Sequence, residues 1–260
     1  MKGEGPLEHV KVLITRGNEG SSETGSLIKS EGGVPILVPL LHFQSHKDPR
    51  EKELLSHLHT YDWIIFTSKN GVKFFLEALK RQGISLDTYK GRYAAVGSKT
   101  GHYCHKSGIT VSFVPENFTG DDFAEEFMLK VKPEARVLIP KGNLARNVIA
   151  SQLSSAGVSC QEWIVYETVL PQKSIVQLKE IIENEQVDII TFTSSSTVHH
   201  FMKVIREYSL YDRIRDIPIA CIGPITKNIA EQYGLHVKIC PSVYTVNEMV
   251  NEMKEYISSR

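Results

Sequence analysis

Residues 188–194 read Asp188-Ile189-Ile190-Thr191-Phe192-Thr193-Ser194, and residues 62–68 read Asp62-Trp63-Ile64-Ile65-Phe66-Thr67-Ser68. Each stretch is a β-rich run that ends in Thr-Ser and leads into a segment of helical character. A helix that begins at the carboxyl end of a strand offers unpaired N–H groups and the positive end of its dipole to an anion. We therefore predict a hydroxyl-rich, anion-binding turn at Phe192-Thr193-Ser194-Ser195-Ser196-Thr197 and a twin turn at Phe66-Thr67-Ser68.

The two stretches belong to a repeat that spans most of the chain. Residues 136–143 match residues 11–18 at an offset of 125, and residues from 188 onward match those from 62 onward at an offset of 126. Strands that alternate with helices in a repeated βα unit indicate parallel sheets, and such sheets bind ligands beyond the carboxyl ends of their strands. The second offset also pairs turn residues: Gly97 with Gly223, Thr100 with Thr226, Gly108 with Gly234, Pro115 with Pro241, Phe118 with Tyr244 and Thr119 with Thr245.

Local patterns predict the elements between these landmarks. Residues 42–48 are polar and unpatterned, and we predict a linker there. Asp48-Pro49-Arg50-Glu51 has the form of a helix start, with a capping Asp, Pro at the first position and Glu three residues after the cap. Phe118 and Thr119 introduce a later helix, in which Thr119 and Asp122 are spaced as a cap pair. Strands are predicted at residues 10–15, 34–41, 63–66, 93–96, 109–114 and 162–168.

Composition excludes several classes of function. The 260 residues carry 30 basic and 30 acidic side chains and are 41% hydrophobic, which is ordinary for one large or two modest globular domains and does not favour nucleic-acid binding. No apolar run is long enough to span a membrane, and no signal peptide is recognisable. Four scattered cysteines without a Cys-x-x-Cys pair indicate reduced thiols, so we expect a cytoplasmic protein. The histidines lack the spacing of metal ligands, and no metal is expected.

Hydroxyl-bearing turns recur at four predicted strand ends. Ser and Thr at a helix start cap the helix in most proteins, and for any single turn that structural role is the better interpretation. Four such turns at the same edge favour a polyanion site that works through neutral N–H donors, which is compatible with a net charge of zero. The candidate binding residues in these turns are Thr67, Ser68, Thr100, Ser194, Ser195, Thr197 and Thr226.

Three basic residues and one tyrosine complete the candidate site. Arg16, Lys141 and Arg146 flank the turns after the first strand of each repeat, where they could pair with carboxylates; solvated surface charge is the simpler alternative for each alone. Tyr166 lies near the end of a predicted strand in the second repeat. Aromatic residues in strands usually pack, but a phenol can also donate a proton to a leaving hydroxyl, so Tyr166 is the candidate catalytic residue.

The order and spacing of these motifs resemble the uroporphyrinogen-III synthase family over nearly the whole chain. Each motif is weak alone. This chain has Gly101 and Lys227 where we expect Ala after the threonine of each Gly-x-x-Thr turn. The features that carry the resemblance are Val12-Leu13-Ile14-Thr15-Arg16, Phe66-Thr67-Ser68, Asn70-Gly71-Val72, Val96-Gly97 with Thr100, Gly142-Asn143-Leu144 with Arg146, Gly157, Val165-Tyr166-Glu167-Thr168, residues 192–197, Ile222-Gly223-Pro224-Ile225-Thr226, and Pro241 with Tyr244-Thr245.

The resemblance implies an α/β fold of two flavodoxin-like parallel-sheet domains, built from the duplicated βα unit and joined by a two-stranded linker. Residues 1–40 with 171–260 would form a discontinuous domain and residues 41–170 an inserted one, with the active site in the cleft between them. The implied reaction is that of a carbon–oxygen lyase of heme and porphyrin biosynthesis, which cyclises hydroxymethylbilane, a tetrapyrrole polycarboxylate, to uroporphyrinogen III. Ring D is inverted and water is lost.

In this family Tyr166 matches the proposed proton donor, and no cofactor is needed. Uncatalysed closure gives the uninverted isomer, so the enzyme's work is largely steering of the substrate's conformation. We expect a monomer with no membrane or nucleic-acid partner, and a transient contact with the preceding pathway enzyme stays open. Two alternatives are a phosphosugar isomerase-like enzyme, which would need a base near the turns, and a non-enzymatic, two-lobed sensor of small anions.

Overall fold

The structure, a computed structural model, describes residues 5–117, 119–184 and 187–260, without the side chains of residues 18–22. Phe118, predicted to introduce a helix, lies outside the described residues. The chain forms two compact units. Unit 1 comprises the residues up to His42 together with Val169–Arg260, and unit 2 comprises Phe43–Thr168.

The first half of the chain contains the following elements: β1 (Lys11–Ile14), α1 (Asn18–Ser30), β2 (Val34–Leu37), β3 (His42–Ser45), α2 (Glu51–Ser56), β4 (Trp63–Phe66), α3 (Lys69–Arg81), β5 (Arg92–Ala95), α4 (Ser98–Lys106), β6 (Val111–Phe113) and α5 (Gly120–Met128). Short 3-10 helices occupy Leu58–Thr60 and Leu86–Thr88. The second half contains β7 (Arg136–Gly142), α6 (Val148–Ser155), β8 (Ser159–Val169), α7 (Gln172–Glu183), β9 (Ile189–Phe192), α8 (Ser195–Glu207), α9 (Tyr211–Ile214), β10 (Ile219–Cys221), α10 (Pro224–Gln232), β11 (Val237–Ile239) and α11 (Val246–Ser258).

Each unit is built on one sheet, and the two sheets have the same strand order. Unit 1 has the order β11-β10-β9-β1-β2, and unit 2 has β6-β5-β4-β7-β8 with β3 added beside β8. The pairs among the first five strands of each sheet are parallel. With β1 and β7 as first strands this is the flavodoxin-like order. The strands stay parallel, but the order in which the chain adds them to the sheet reverses between β1 and β9 in unit 1 and between β7 and β4 in unit 2. The predicted fold class is confirmed.

The duplicated unit is therefore exchanged between the two sheets. Unit 1 combines β1 and β2 of the first repeat with β9, β10 and β11 of the second, and unit 2 combines the complementary strands. The chain passes between the units within β3 and within β8, which are neighbours in the unit 2 sheet. These two strands are the predicted two-stranded linker.

Apolar layers cover both faces of each sheet, as a parallel sheet between helices requires. In unit 1, Leu13, Ile190 and Phe192 face one layer, and Val12 and Ile189 face the other. In unit 2, the strand β4 alternates in the same way, so that Ile64 and Phe66 meet helix α3 while Trp63 and Ile65 meet helices α5 and α6.

The predicted linker at 42–48 holds the first crossing between the units, but it also contains the strand β3, because its exposed residues pair with β8 despite their lack of an apolar pattern. One local prediction beside it is wrong. The predicted cap Asp48 does not start a helix: α2 begins at Glu51, and Asp48 instead accepts hydrogen bonds from the Arg50 backbone and guanidinium. The cap pair at Thr119 is confirmed, since its side chain accepts from the Asp122 N–H.

Among the residues that the structure describes, none of the helices has the length and apolar character needed to cross a bilayer.

Candidate functional site

The turn between β9 and α8 in unit 1 has the geometry of an anion site. Ser194 is the extended N-cap residue, and its Oγ accepts from the Thr197 N–H at 3.4 Å. The Thr197 hydroxyl donates to the Ser194 carbonyl at 2.7 Å and is almost fully buried. The N–H groups of Ser195 and Ser196 have no acceptor within the described part of the chain. They open a helix of 13 residues, so its positive end and two free donors point beyond the strand.

The turn between β4 and α3 in unit 2 repeats this geometry. Ser68 is again an extended N-cap residue, and its Oγ accepts from the Gly71 N–H at 3.0 Å. The helix that follows also has 13 residues, and the N–H groups of Lys69 and Asn70 find no acceptor among residues 5–117, 119–184 and 187–260. Thr67, one residue before the cap, is half-buried.

The turns after β5 and β10 start with glycine instead of serine. Gly97 and Gly223 are the N-cap residues of α4 and α10, and neither provides a side-chain cap. Thr100 and Thr226, which lie in the first turns of these helices, are 7% and 5% exposed. These two threonines and Thr197 therefore pack within their helix starts. Their turns remain candidates for binding through main-chain N–H groups, the neutral donors predicted from the sequence.

Tyr166 stands near the carboxyl end of β8, beside the Ser68 turn. Its hydroxyl lies 3.4 Å from Ser68 Oγ. Its ring is stacked on Phe74 at a centroid distance of 5.3 Å and meets the edge of Phe43 at 5.7 Å. Gly142 makes room for the ring, because a Cβ there would lie 2.5 Å from Tyr166 Cζ. The phenol is thus held by packing on several sides, and its hydroxyl is directed toward the start of α3.

Lys141 is removed from the predicted binding set. Its side chain is buried, and the ammonium group donates to Glu162 Oε1 at 2.7 Å, to Asn147 Oδ1 at 2.5 Å and to the Arg146 carbonyl at 3.3 Å. An ammonium group has three donors, and all three are used. Lys141 therefore stabilises the loop after β7, and no donor remains for a substrate carboxylate.

The two arginines remain available. Arg16 is half-buried directly after β1, and Arg146 is exposed in the loop before α6. Neither guanidinium has an ion pair or hydrogen bond with the described residues. Arg16 follows the strand next to β9, at the reversal of strand order in unit 1, which is where open α/β sheets bind ligands.

The structure thus brings the predicted residues together in two groups, one in each unit. In unit 1, Arg16, Ser194 and Ser195 adjoin the β1–β9 reversal. In unit 2, Tyr166 adjoins Ser68 next to the β7–β4 reversal, with Thr67 beside the cap and Arg146 beyond β7. Within the described ranges, no cluster of three or more His, Cys, Asp or Glu side chains is arranged to hold a metal ion.

Three supporting residues were missed from the sequence. Phe74 and Gly142 shape the Tyr166 site, and the signal for Gly142 was present, because Gly17 occupies the matching position of the first repeat. Thr15 was also missed: its buried hydroxyl donates to the Thr191 carbonyl at 2.6 Å and joins β1 to β9 below the unit 1 turn. A single threonine after an apolar run carries no signal for such a role.

Comparison with known proteins identifies the family and the fold. The family model described as "Uroporphyrinogen-III synthase HemD" matches residues 22–251. The chain is 30% identical to the uroporphyrinogen-III synthase of Chlorobaculum parvum, over 90% of this chain and 93% of that protein. It is 26% identical to that of Synechococcus elongatus, over 97% of both. Its fold is similar to a solved mutant uroporphyrinogen III synthase of Thermus thermophilus, with a TM-score of 0.65 at 17% identity over 96% of this chain and 100% of that one.

Proposed function

The chain belongs to the uroporphyrinogen-III synthase family, and we propose that it converts hydroxymethylbilane to uroporphyrinogen III with Tyr166 as the proton donor. The relatives favour this lyase over the phosphosugar isomerase and the anion sensor. The observation that carries the assignment of Tyr166 is the position of its hydroxyl, 3.4 Å from Ser68 Oγ, at the carboxyl edge of the unit 2 sheet.

The first step is loss of the substrate's hydroxyl group. Tyr166 donates its phenolic proton to that oxygen, the carbon–oxygen bond breaks, and water leaves while the adjacent pyrrole keeps its N–H and becomes an azafulvenium cation paired with the phenolate. Ser68 Oγ, held as the N-cap of α3, is placed to hydrogen-bond the phenolate that remains. Phe74 and Phe43 restrict the ring, so the donor stays oriented through the step.

Cyclisation follows with no change of oxidation state. Ring D, through its carbon that bears a side chain, attacks the exocyclic carbon of the azafulvenium cation. The spiro intermediate then breaks and recloses with the ring inverted. The final loss of a proton from the newly bonded pyrrole carbon returns the proton to the phenolate or to water. Atoms balance as hydroxymethylbilane giving uroporphyrinogen III and one water.

The substrate's carboxylates are assigned to the helix starts. The free N–H groups at Ser195 and Ser196 serve unit 1, and those at Lys69 and Asn70 serve unit 2. Charge-assisted hydrogen bonds from neutral donors explain how a chain of zero net charge binds a polyanion. Arg16 and Arg146 add one cation to each group.

We further propose that the protein is cytoplasmic and that it acts as a monomer. The four cysteines are free thiols, as in a reducing compartment. A transient contact with the enzyme that makes hydroxymethylbilane would limit the uncatalysed closure of that substrate to the uninverted isomer.

The function is tested by incubating the purified chain with hydroxymethylbilane and resolving isomers I and III after oxidation to porphyrins. We expect isomer III in large excess over a reaction without protein, which yields isomer I. A product distribution equal to that of the reaction without protein would refute the synthase assignment.

A further inference from the structure

Exposed apolar side chains crowd one edge of the unit 1 sheet. Ile225 is 76% exposed, Tyr244 61% and Val243 58%. They follow the carboxyl ends of β10 and β11, which are neighbouring parallel strands. Single exposed apolar residues are common on protein surfaces, but three beside adjacent strand ends form a patch of the kind that contacts a ligand.

The Tyr244 ring is held in place. It lies against Gly223, the N-cap residue of α10, where an added Cβ would come within 3.2 Å of ring atoms Cγ and Cδ1. The backbone around it is fixed too, because the Thr245 N–H donates to the Val243 carbonyl at 2.8 Å and Thr245 caps α11 through the Glu248 N–H. A tyrosine that packs on a glycine backbone and keeps most of its surface open is a preorganised platform.

Anion-binding groups adjoin this apolar patch. The N–H groups of Ile225 and Thr226 open α10, and none of the described residues accepts a hydrogen bond from them. The Ser195 turn lies at the end of β9, the strand next to β10. A ligand that fits this edge combines flat apolar rings with carboxylates, because the rings cover Tyr244 and Ile225 while the carboxylates reach the N–H groups.

The equivalent positions of unit 2 show that the fold does not require apolar residues at two of these three positions. At the offset of 126, Ile225 corresponds to Lys99 and Val243 to Asn117, which are polar, whereas Tyr244 corresponds to Phe118, which is also aromatic and lies outside the described residues. The two βα turns therefore carry polar side chains at these two positions in one unit and exposed apolar side chains in the other. Exposure of apolar surface is unfavourable in the free protein, and burial against a ligand would recover that free energy.

We propose that Tyr244 and Ile225 form a platform for a pyrrole ring of hydroxymethylbilane, whose carboxylates bind the N–H groups at the starts of α8 and α10. This inference rests on the proposed function and adds two substrate-binding residues to it. The platform holds part of the linear substrate in place while ring D inverts. A substrate that is held loosely closes without inversion, so the platform also affects which isomer forms.

The test compares Tyr244→Ala, Ile225→Ala and Tyr244→Phe with the matched control Val176→Ala, an exposed aliphatic residue of α7 in the same unit. We expect KM for hydroxymethylbilane to rise about tenfold in Tyr244→Ala and about threefold in Ile225→Ala, with a larger share of isomer I. Tyr244→Phe keeps the ring, so its KM should lie closer to the wild-type value than that of Tyr244→Ala, and the control should behave like the wild-type protein. Thermal melts check that all variants fold.

Binding of uroporphyrin III, the stable oxidised form of the product, separates this inference from the function. Titration is followed by quenching of porphyrin fluorescence, which needs no turnover. Weaker binding by Tyr244→Ala than by Val176→Ala supports the platform even if no isomer III is formed, in which case only the proposed function fails. An active enzyme in which Tyr244→Ala leaves KM, isomer ratio and uroporphyrin binding unchanged would overturn the platform.

Discussion

The sheets of the two units have the same strand order, but the units differ in the residues that lie beside the carboxyl ends of the strands. Both have a serine-capped helix of 13 residues after the strand at the reversal of strand order. Both also have a glycine at or just beyond the carboxyl end of the neighbouring strand, at positions 142 and 17, which correspond at the offset of 125. A Cβ at Gly17 would meet the Leu41 carbonyl at 2.7 Å, whereas a Cβ at Gly142 would meet the Tyr166 ring. Position 41 corresponds to position 166, so leucine in one unit matches tyrosine in the other.

This difference shows which part of the site the duplication supplies. Helix starts with free N–H groups occur in both units, because backbone geometry produces them wherever the βα unit is repeated. The phenol occurs once, because it depends on one side chain. Under the proposed function, anion binding is therefore distributed over both units, and proton donation belongs to unit 2 alone.

The largest expected effect is the loss of the phenol. In Tyr166→Phe the ring still packs on Phe74, so we expect a melting temperature within a few degrees of the wild-type value. General acid catalysis typically contributes about 10² to 10⁴ in rate, and we expect kcat to fall by at least about 100-fold with little change in KM. Steady-state kinetics with hydroxymethylbilane measures both.

Tyr93→Phe is the matched control for this variant. The Tyr93 hydroxyl is buried in the same apolar layer and has no hydrogen-bond partner among the described residues. Its removal relieves an unsatisfied polar atom, so stability should stay equal or rise while kcat is unchanged. If both variants lost activity equally, the effect would reflect packing of the layer, and Tyr166 would lose its assigned role.

The second prediction uses the two glycines. Gly142→Ala should displace the Tyr166 ring and lower kcat about tenfold or more, at a stability cost of about 1–3 kcal/mol. Gly17→Ala pushes on the rigid Leu41 carbonyl, so it should destabilise unit 1 by a similar or larger amount with activity following the folded fraction. Denaturant titration together with kcat per folded molecule separates the two. Equal kcat per folded molecule in both variants would show that catalysis does not depend on the position of the Tyr166 ring.

Much of the fold was predictable because the repeat marks strands and turns twice. The pairing of Asp62 with Asp188 placed β4 and β9, and parallel sheets followed from the alternation of strands and helices. The strand β3 was missed because its residues are exposed, and its pairing with β8 depends on a partner more than 100 positions away. Asp48 has the local pattern of a cap, but Arg50 satisfies its carboxylate instead.

The candidate site was less predictable, because the direction of each side chain decides whether it is available to a ligand. Lys141 lies near the carboxyl end of the first strand of its repeat, much as Arg16 follows β1, but only the structure shows that Glu162 and Asn147 accept hydrogen bonds from its ammonium group. Thr100 and Thr226 were predicted as binding residues from the turns in which they lie, and the first turn of each helix buries their side chains. Main-chain donors carry no sequence signature, so their role could be inferred only from the recurring turn.

The third prediction compares the two capping serines. Ser68→Ala and Ser194→Ala each remove a side-chain acceptor from a helix start, so each should lower the free energy of unfolding by about 1 kcal/mol. Ser68→Ala also removes the neighbour of the Tyr166 hydroxyl, and kcat should fall several-fold further in this variant than in Ser194→Ala. Thermal melts and kinetics on both variants measure this difference. A lower kcat in Ser194→Ala than in Ser68→Ala would contradict the assignment of chemistry to unit 2.

The smallest expected effect concerns pH and a third difference between the units. In unit 2, burial of Glu51 favours a higher pKa, but hydrogen bonds from Arg81 and Gln82 outweigh it and hold the pKa of this carboxyl below its ordinary value. At an offset of 125 or 126 unit 1 has Val176 or Gln177, neither of which titrates. The unfolded chain therefore binds a proton more readily at position 51 than the folded chain does. The stability from Glu51 is present above its ordinary pKa of 4.5 and is lost as the pH falls through the lowered folded value.

Glu51→Gln should accordingly reduce the free energy of unfolding by about 1 kcal/mol or more near neutral pH, and the difference from wild type should shrink as the pH falls toward about 3. Glu183→Gln is the control, because Glu183 forms only an exposed pair with Lys179, and its effect should stay within a few tenths of a kcal/mol at every pH. Denaturant unfolding at several pH values gives both curves, and hydrogen exchange assigns the change to unit 2. A difference between Glu51→Gln and wild type that stays constant with pH would mean that the interaction of Glu51 with Arg81 does not depend on the charge of the carboxylate. The pair of Glu51 and Arg81 would then make no contribution to the pH dependence of the stability of unit 2, and at this position the two units should respond alike to acid.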